Sequence, residues 1–515
     1  MKSHVKVALG LLLLGIVGIL GTRYILPILE DKKSTATSDA KATKGHINIG
    51  MDNFIGYFPL CSPEMVRRMR QSGYLLECKD DGADYAKRMK DLDRGSIDFA
   101  VATVDSYVLN GAQENYPGTI VAVLDESKGG DALVAWKDKV ANLDDLRTHS
   151  NISIAYTPDS PSHHLLKALA VHFDIQNLKA QKNWQVESDG SEAALNKFLN
   201  KSVDAAVLWE PDVSKALADG NAIKVLGTEK TQQLIVDILV VNREFAQDKP
   251  EVVNQLLKEY FRTLKYYRDN KDTLISDIKK TTGLKTDQID NMLEGIEWQS
   301  LSQNAEKWYG ISQSGSISSE ALVDTIESTI DVLTEYGSLD KNPIPNRDPY
   351  RITNSLFIGK LFESLLQSSG FGLKSNTSQT QFKALTDSQW AQLKEIGTLK
   401  VRPIVFSSGS DNLTLEGKEQ LDLAVSNLKH YPAFRVEIRG HSGLRGDANA
   451  NKVLSQDRAD AVMRYLEITH DIDPSRVKAI GYGGDKPLPR QANESSRAYN
   501  YRLPRVELVL MGEDF

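Results

Sequence analysis

The chain has 515 residues, of which 41% are hydrophobic and 25% charged, and its formal net charge is -7. This length exceeds the usual single-domain size of about 100 to 250 residues, so two or more domains are expected. A mildly acidic chain of ordinary composition disfavours nucleic acid as a principal partner.

Residues 1–45 are predicted to be a signal anchor followed by a flexible tether. Lys2 and Lys6 flank the start of an apolar run at residues 7–20. With its neighbours this run reaches about 18 residues, enough to span a bilayer at about 1.5 Å per residue. The first Ala-x-Ala site comes only at residues 40–42. We therefore predict a single uncleaved N-terminal transmembrane helix in the inner membrane, with the bulk of the chain in the periplasm. A cleaved signal peptide is the alternative.

The tether, residues 32–44, consists mainly of Ser, Thr, Ala, Lys and Asp and cannot form a core. From His46 onward, predicted strands and helices alternate, which indicates a parallel sheet. Two such blocks occupy roughly residues 47–140 and 150–230, and a strand at 234–242 returns toward the first. Open sheets of this class bind ligands beyond the carboxyl ends of their strands.

Four short motifs in this region occur together. They are Met-Asp-Asn-Phe-Ile-Gly-Tyr-Phe-Pro-Leu at 51–60, Gly-Ser-Ile-Asp-Phe-Ala at 95–100, Trp-Glu-Pro at 209–211, and Val-Asn-Arg-Glu-Phe at 241–245. Their order resembles that of two-lobed periplasmic solute-binding proteins, in the branch that serves thiamine-precursor, nitrate and sulfonate ABC importers. The resemblance implies a two-lobed α/β domain at residues 46–345, a small-molecule ligand, and an ABC permease as a candidate partner.

The strand at 152–155 is followed by Ser160, a good N-cap, and Pro161, a good first helical residue. Such a helix N-terminus can seat a carboxylate, phosphate or sulfonate, so the predicted ligand is small and anionic or polar. The alternative is that the aromatic residues pack the lobes together and that the His163-His164 pair only caps the helix. The candidate ligand-binding residues are Asn53, Phe54, Tyr57, Ser160, Ser162, His163, Trp209 and Glu210.

Cys61 and Cys78 are the only cysteines. Export to an oxidising periplasm allows a disulfide between them. Cys61 follows the first strand and Cys78 ends the second, and strands joined by one crossover are commonly neighbours about 4.8 Å apart. We predict that they form a disulfide; two buried free thiols are the alternative.

Residues 341–349 are rich in proline, asparagine and charge, which suits a domain boundary. We predict a helical connector and linker at residues 346–395, with a helix near 352–366 and a second linker at 370–380. A further domain should then occupy residues 396–515.

This last domain contains Gly440-His441-Ser442-Gly443, followed by Asn451, Leu454-Ser455 and Arg458-Ala459. The pattern is similar to the signature of the OmpA-like C-terminal domain, an α+β fold that binds peptidoglycan.

In that family an aspartate after Gly-His-Thr and an arginine on the next helix grip the diaminopimelate of the stem peptide. Arg458 matches the arginine, whereas Gly443 stands at the aspartate position. The candidate peptidoglycan-binding residues are therefore Asp447, Asn451 and Arg458, and binding is expected to be weakened. The alternative is that Arg458 pairs only with a carboxylate of its own domain.

The sequence contains no phosphate-binding loop, no His-Glu-x-x-His, no Cys-x-x-Cys and no Gly-x-Ser-x-Gly motif. We therefore predict a non-enzymatic envelope protein without cofactor, metal or catalytic residues, anchored to the inner membrane and to peptidoglycan. Two alternatives remain open. One is a secreted binding component of an ABC importer, and the other is a structural membrane-to-wall tether with a vestigial pocket.

Overall fold

The computed structural model describes residues 43–149, 151–180, 183–311, 320–369, 382–401, 403–407, 409–491 and 494–512. The predicted signal anchor and the linker at 370–380 lie outside these ranges. Within them, no helix combines the length and apolar character needed to cross a membrane.

The described residues form three sheets with helices packed on their faces. The strands are β1 (Gly45–Met51), β2 (Tyr74–Asp80), β3 (Phe99–Thr103), β4 (Gly118–Ser127), β5 (Asp131–Trp136), β6 (Ile154–Tyr156), β7 (Gln185–Glu187), β8 (Ala205–Trp209), β9 (Ala222–Gly227), β10 (Val236–Asn242), β11 (Ile296–Trp298), β12 (Lys394–Thr398), β13 (Arg435–His441), β14 (Val477–Gly483) and β15 (Arg505–Gly512).

The helices are α1 (Phe58–Cys61), α2 (Pro63–Gln71), α3 (Tyr85–Asp93), α4 (Val104–Gln113), α5 (Leu143–Thr148), α6 (Pro161–His172), α7 (Gln176–Ala180), α8 (Ser191–Leu199), α9 (Asp212–Leu217), α10 (Arg243–Asp248), α11 (Pro250–Asp269), α12 (Lys271–Thr282), α13 (Thr286–Glu294), α14 (Leu301–Gln303), α15 (Ala321–Tyr336), α16 (Leu356–Ser369), α17 (Asp387–Trp390), α18 (Leu415–Leu428), α19 (Ala448–His470) and α20 (Ser496–Arg502).

The first lobe contains a six-stranded sheet in the order β11-β4-β10-β3-β1-β2. β1 runs parallel to β2 and β3, as the alternating sequence pattern predicts. β10 and β11, however, run antiparallel to their neighbours. The sheet is therefore mixed and not parallel throughout, because β10 enters it from the second lobe and not from a helical crossover within the first. The prediction that the strand near residues 234–242 returns to the first block is confirmed.

The second lobe contains a five-stranded sheet in the order β7-β6-β8-β5-β9. The chain passes from the first lobe to the second between β4 and β5 and returns between β9 and β10. These two crossings lie side by side, since the Ser127 amide donates to the Ile235 carbonyl at 3.1 Å and the Gly129 amide donates to Thr228 Oγ1 at 2.9 Å. Two adjacent strand crossings form the connection expected of a hinge. The predicted two-lobed α/β architecture is confirmed.

After the second crossing the chain packs against the first lobe again. Helix α15 contacts α4 of the first lobe and α6 of the second. The segment before α16 is bonded to β4, because the Ile120 amide donates to the Ile352 carbonyl at 2.8 Å. Thus the first part of the predicted connector packs on the first lobe.

The C-terminal domain has a four-stranded sheet in the order β12-β15-β13-β14 and docks on the second lobe. Its apolar core is continuous with the core of that lobe. At the contact, the ring centroids of Phe173 and Tyr431 are 5.2 Å apart, His172 Nδ1 lies 2.8 Å from the Tyr431 hydroxyl, and the Lys400 amide donates to the His172 carbonyl at 2.6 Å. Apolar burial combined with hydrogen bonds makes this a packed interface and not a loose tether.

In the structure, Cys61 and Cys78 form a disulfide with a Cα–Cα distance of 6.2 Å. The bridge joins the end of α1 to β2, at a position where Ile49 of β1 lies opposite Cys78. It therefore fastens the short segment that carries Phe54 and Tyr57 to the sheet of the first lobe.

Replacing both cysteines by serine (Cys61→Ser with Cys78→Ser) should lower the free energy of unfolding of the first lobe by about 3 kcal/mol on the chain-entropy model, because the bridge closes a separation of 17 residues. Denaturant unfolding of wild type and variant measures this change. A reducing agent should destabilise the wild type and leave the variant unchanged. Two reactive thiols per chain in denatured, unreduced protein would contradict the bridge.

Candidate functional site

A small cavity lies where the two lobes meet, with about 20 Å³ of space open to the centre of a water molecule. A space of this size admits water or a compact group. Side chains from both lobes surround it, so separating the lobes would open it to solvent. Its lining consists of Asp52, Phe54, Tyr57, Tyr85, Asp131, Pro161, Trp209, Ile235 and Asp237.

The segment after β1 forms one wall of the cavity. Asp52 Oδ1 accepts a hydrogen bond from the Phe54 amide at 3.1 Å, and the rings of Phe54 and Tyr57 meet edge to face at 5.2 Å. Gly56 must be a glycine, because a Cβ there would lie 2.4 Å from the Phe54 ring and 2.7 Å from Asp125 Oδ2. The tight turn at Gly56 thus places the rings of both Phe54 and Tyr57 in the wall of the cavity.

Two aspartates lie side by side in the first lobe beneath this wall. Asp125 of β4 and Asp237 of β10 are direct partners across antiparallel strands, so their side chains share one face of the sheet. The Tyr57 hydroxyl donates to Asp237 Oδ1 at 2.5 Å. The carboxyl groups of Asp125 and Asp237 share a hydrogen bond, and no other described residue donates to Asp125.

The environment of this pair disfavours negative charge. Burial raises the pKa of Asp125 to about 8. Burial, followed by the nearby charge of Asp125, raises the pKa of Asp237 well above its usual value. Two adjacent carboxyl groups in a site of low polarity cannot both ionise easily, so at neutral pH the pair retains protons.

The second lobe contributes a third carboxylate, Asp131, at the start of β5. Its Oδ2 accepts a hydrogen bond from Ser127 Oγ at 2.7 Å. Burial raises the pKa of Asp131 to about 7, and the charges of Asp105, Glu210 and Asp52 act in the same direction. No ion pair joins Asp125, Asp131 or Asp237 to a basic side chain within the described ranges.

Asp52 is the one lining carboxylate that has a cation beside it. The buried guanidinium of Arg88 lies 3.1 Å from Asp52 Oδ2 and 2.5 Å from Asp81 Oδ1, and it also donates to the Val101 carbonyl at 2.7 Å. Arg88 is thus already engaged by three acceptors and is held away from the other aspartates. The cavity is therefore rich in carboxyl groups, a lining that does not favour an anionic ligand.

Of the eight predicted ligand-binding residues, three line this cavity: Phe54, Tyr57 and Trp209. Asn53 is exposed and is not among the residues that line the cavity. The hydroxyls of Ser160 and Ser162 are bonded to the backbone of Thr157, and the carboxylate of Glu210 accepts hydrogen bonds from Ser214 at 2.8 and 3.1 Å. The side chains of Ser160, Ser162 and Glu210 thus stabilise the local backbone around them. Of the predicted helix N-terminus, only Pro161 reaches the cavity.

His163 lies instead beside Lys167 on a wider groove of about 540 Å³ between α4, α6 and the turn after α15. Burial, followed by the charge of Lys167, lowers the pKa of His163 to about 2. Its ring packs on Tyr156 with centroids 4.6 Å apart. His163 is therefore a neutral packing residue in this arrangement.

Sequence reasoning missed Asp52, Tyr85, Asp131 and Asp237. A usable signal was present for one of these acids, since Asp237 is the single charged residue of the fully buried strand β10. A charged residue at such a position is expensive unless it has a function or a partner.

In the C-terminal domain, Arg458 projects from α19 toward the loop before α18. Its Nε donates to the Ser410 carbonyl at 3.1 Å, and its guanidinium lies 5.1 Å from the centre of the Phe406 ring. Burial lowers the pKa of Arg458 from its ordinary value, and the charge of Asp411 opposes that change. Arg458 forms no ion pair with Asp457 or Asp460 in the described structure.

The other two predicted wall contacts organise the loop after β13. Asp447 caps α19 by accepting a hydrogen bond from the Ala450 amide at 2.8 Å. The Asn451 side chain donates through Nδ2 to the carbonyls of Arg445 at 2.9 Å and Gly443 at 3.4 Å. Asp447 precedes Arg458 by eleven residues, about 16 Å along a helix axis, and its carboxylate is used to cap that helix. A Cβ at Gly443 would meet no atom within 4 Å.

Comparison with known proteins agrees with this C-terminal architecture. The OmpA family model matches residues 405–501. The chain is 41% identical over 76 residues to outer membrane porin F of Pseudomonas fluorescens, covering 15% of this chain and 23% of the porin. It is 33% identical over 98 residues to the peptidoglycan-associated lipoprotein of Pseudomonas aeruginosa, covering 19% of this chain and 57% of the lipoprotein. The chain thus spans less than two thirds of either relative. The C-terminal region is an OmpA-like domain, as predicted.

Among solved structures, the alkanesulfonate-binding protein SsuA from Xanthomonas axonopodis pv. citri, bound to MOPS, is 16% identical, with a TM-score of 0.47, covering 61% of this chain and all of that one. A score of this size carries no functional conclusion. The two-lobed architecture is instead established by the strand orders of the first two sheets of this chain.

Replacing Asp125 by asparagine should stabilise the solute-free protein at high pH. Because burial raises its pKa to about 8, Asp125 supports folding while protonated and loses that contribution as pH rises from the unfolded value through 8. Asp125→Asn removes the titration, so its advantage over wild type should grow with pH by about 1.36 kcal/mol per unit at most, or up to roughly 4 kcal/mol between pH 5 and pH 8.

Thermal unfolding of both proteins across this pH range measures the difference. The exposed Asp138→Asn in the second lobe is the matched control and should show no such trend. An Asp125→Asn difference that stays constant or shrinks with rising pH would contradict the assignment.

Proposed function

We propose that this chain is a non-enzymatic envelope protein that binds a small polar solute between its lobes and peptidoglycan through its C-terminal domain. The observation that carries the first part is the cavity at the lobe junction, because side chains from both lobes line it. Such a site is complete only when the lobes close. Solute binding and lobe closure would then be one event.

Trp209 supports this interpretation. It ends β8 in the second lobe, yet it packs with the apolar cluster of the first lobe and is 9% exposed. A tryptophan that crosses the junction and lines the cavity gives the solute an aromatic wall and gives the closed state apolar burial. An empty pocket in a purely structural tether would need no such wall, although that alternative remains a candidate.

The wall-binding part rests on Arg458 and the surrounding groove. The OmpA-like domain and the named relative support peptidoglycan as the partner, with the diaminopimelate of the stem peptide as the anion-bearing group. Arg458 retains donors for a carboxylate, and a charge-assisted hydrogen bond contributes roughly 1.5–3 kcal/mol. Because residue 443 is a glycine, it offers no carboxylate to the amino group of diaminopimelate. We therefore expect the domain to bind only the carboxylate end of that residue.

The location we propose is the inner membrane, single-pass, with the folded domains in the periplasm. It is supported by the apolar run at residues 7–20 and the two lysines around its start. A dozen tether residues reach only about 20 Å as a random coil, so contact with the wall would depend on the folded domains. A released binding component of an ABC importer, delivering to a permease, is the second candidate.

Arg458→Ala should weaken pelleting of the protein with purified sacculi by about tenfold or more, as expected for a lost charge-assisted bond. Gly443→Asp should tighten it, because the added side chain enters open space beside the groove. Arg268→Ala, which removes an exposed charge from the first lobe, is the control and should bind as wild type. Equal pelleting of wild type and Arg458→Ala would rule out the proposed role of Arg458.

Mass spectrometry of small molecules released from purified full-length protein should find one solute per chain. Trp209→Ala should lose it, since the variant removes one wall of the cavity. Trp390→Ala, which alters a buried tryptophan of the C-terminal domain, should retain it. A wild-type chain that releases nothing and accepts no added solute would favour the structural-tether alternative.

A further inference from the structure

We propose that two histidines, His172 and His430, form an acid-sensitive latch that holds the C-terminal domain against the lobes. The domain is docked while both rings are neutral, and it is released when they take up protons. The position, burial and hydrogen bonds of the two rings support this latch. None of these features depends on which solute or wall component the protein binds.

The two imidazole rings stack on each other across the domain interface. His172 ends helix α6 of the second lobe, and His430 follows helix α18 of the C-terminal domain. Their ring centroids are 5.3 Å apart, and the ring planes are inclined by 12°. His172 is 2% exposed and His430 is 8% exposed. A charge on either ring would therefore lie inside the interface and close to the other ring, where it is poorly solvated.

The hydrogen bonds of both rings suit their neutral forms. His172 Nδ1 lies 2.8 Å from the hydroxyl of the buried Tyr431, and His430 Nδ1 lies 2.9 Å from the Gln232 carbonyl. A carbonyl can only accept, so the neutral His430 ring carries its proton on Nδ1. A charged imidazole donates from both nitrogens, so a charged His172 could no longer accept a hydrogen bond from Tyr431.

The latch also fastens the hinge. Gln232 belongs to the second crossing between the lobes, and its amide donates to the His430 carbonyl at 2.7 Å. The amide of the next residue, Gln233, donates to Glu126 Oε1 of β4 at 2.6 Å, beside the first crossing. Docking thus connects the C-terminal domain to both crossings. Its release should loosen the segment about which the lobes move.

The charged groups around the two rings do not balance a positive charge on either of them. Within the described ranges, neither histidine forms an ion pair with a carboxylate. The titratable groups that face His172 are His430, His164, Lys179 and Tyr431, and those that face His430 are His172, Glu126 and Lys429. Glu126 already pairs with Lys128 at 2.8 Å and with Lys307 at 2.9 Å.

Burial gives the latch its direction of response to pH. It lowers the pKa of His172 well below the ordinary value, and the charges of His430 and His164 act in the same direction. Burial also lowers the pKa of His430, against the opposing effects of the Gln232 carbonyl and Glu126. Undocked rings reach water and regain a pKa near 6.5. Below about pH 6.5 the undocked form therefore binds more protons, and each histidine should weaken docking by up to about tenfold per pH unit.

A neighbouring ion pair at the same interface should persist over this pH range. Lys400 of the C-terminal domain pairs with Glu335 of α15. Although burial favours the neutral acid, hydrogen bonds from Lys400 and Lys179 hold the pKa of Glu335 below its ordinary value. Glu335 therefore stays charged while the histidines titrate, so the histidines set the pH at which the domain is released.

Single-molecule energy transfer between two labels on the full chain tests the latch. Asp138→Cys in the second lobe and Ile468→Cys on α19 introduce exposed labelling sites, and the two native cysteines are already joined in a disulfide. We expect one narrow transfer distribution at pH 7.5 and a broad, shifted one at pH 5, reversible on return to pH 7.5. An unchanged distribution at pH 5 would overturn the proposal. So would a loss of far-ultraviolet circular dichroism in step with the transfer change, since that would indicate unfolding.

His172→Asn combined with His430→Asn removes both ionisable rings, while the asparagine amides can replace the hydrogen bonds of Nδ1. This double variant should stay docked from pH 7.5 to pH 5. His149→Asn, which removes an exposed histidine of the second lobe, is the matched control and should release as wild type does. Release of the double variant at the same pH as wild type would show that these histidines are not the sensor.

The single variants decide the matter if the double variant fails to dock at neutral pH. Each should keep one titrating ring, so the docking constant should change by up to about tenfold per pH unit below pH 6.5, against up to about a hundredfold in wild type. A pH dependence in both single variants as steep as that of wild type would contradict the latch.

Discussion

Burial of carboxyl groups at the junction of the two lobes is the constraint on which the rest of this structure depends. Asp125 and Asp237 meet there because β10 returns from the second lobe and inserts between β3 and β4. Asp131 of the second lobe lines the same cavity as Asp237. Their ionised forms are unfavourable in a dry site, so the closed state must hold protons or a counter-charge. The protonation of these acids therefore depends on how completely the two lobes bury them.

The placement of the domains gives lobe motion a mechanical consequence. The described chain enters the first lobe through β1, whereas the OmpA-like domain packs on the second lobe through Phe173, His172 and Tyr431. The hinge between β4 and β5 thus lies between the N-terminal end and the C-terminal domain. A change in lobe angle would reorient one relative to the other, because the interface on the second lobe is packed and hydrogen-bonded.

The loop after β13 in the OmpA-like domain keeps its shape without any side chain at position 443. Asn451 still fastens the loop after β13 through the Gly443 and Arg445 carbonyls, and Arg458 still lies at the edge of the core beside Phe406. Gly443 itself has no side chain, and a Cβ at this position would enter open space. Loop geometry and ligand chemistry are separate properties here.

The sequence by itself determined the domain order, the two-lobed α/β class, the return of a strand to the first lobe and the OmpA-like signature, because these depend on periodicity and local motifs. It also placed Phe54, Tyr57 and Trp209 in the cleft, since aromatic residues beyond strand ends converge at one edge of a sheet. It did not reveal the acids. Only the tertiary structure decided that Asp125 and Asp237, more than a hundred residues apart, are neighbours with Asp131 opposite them. Strand pairing across a double crossover is set by long-range packing, and the sign of the charge in the cleft follows from that pairing and not from any local pattern.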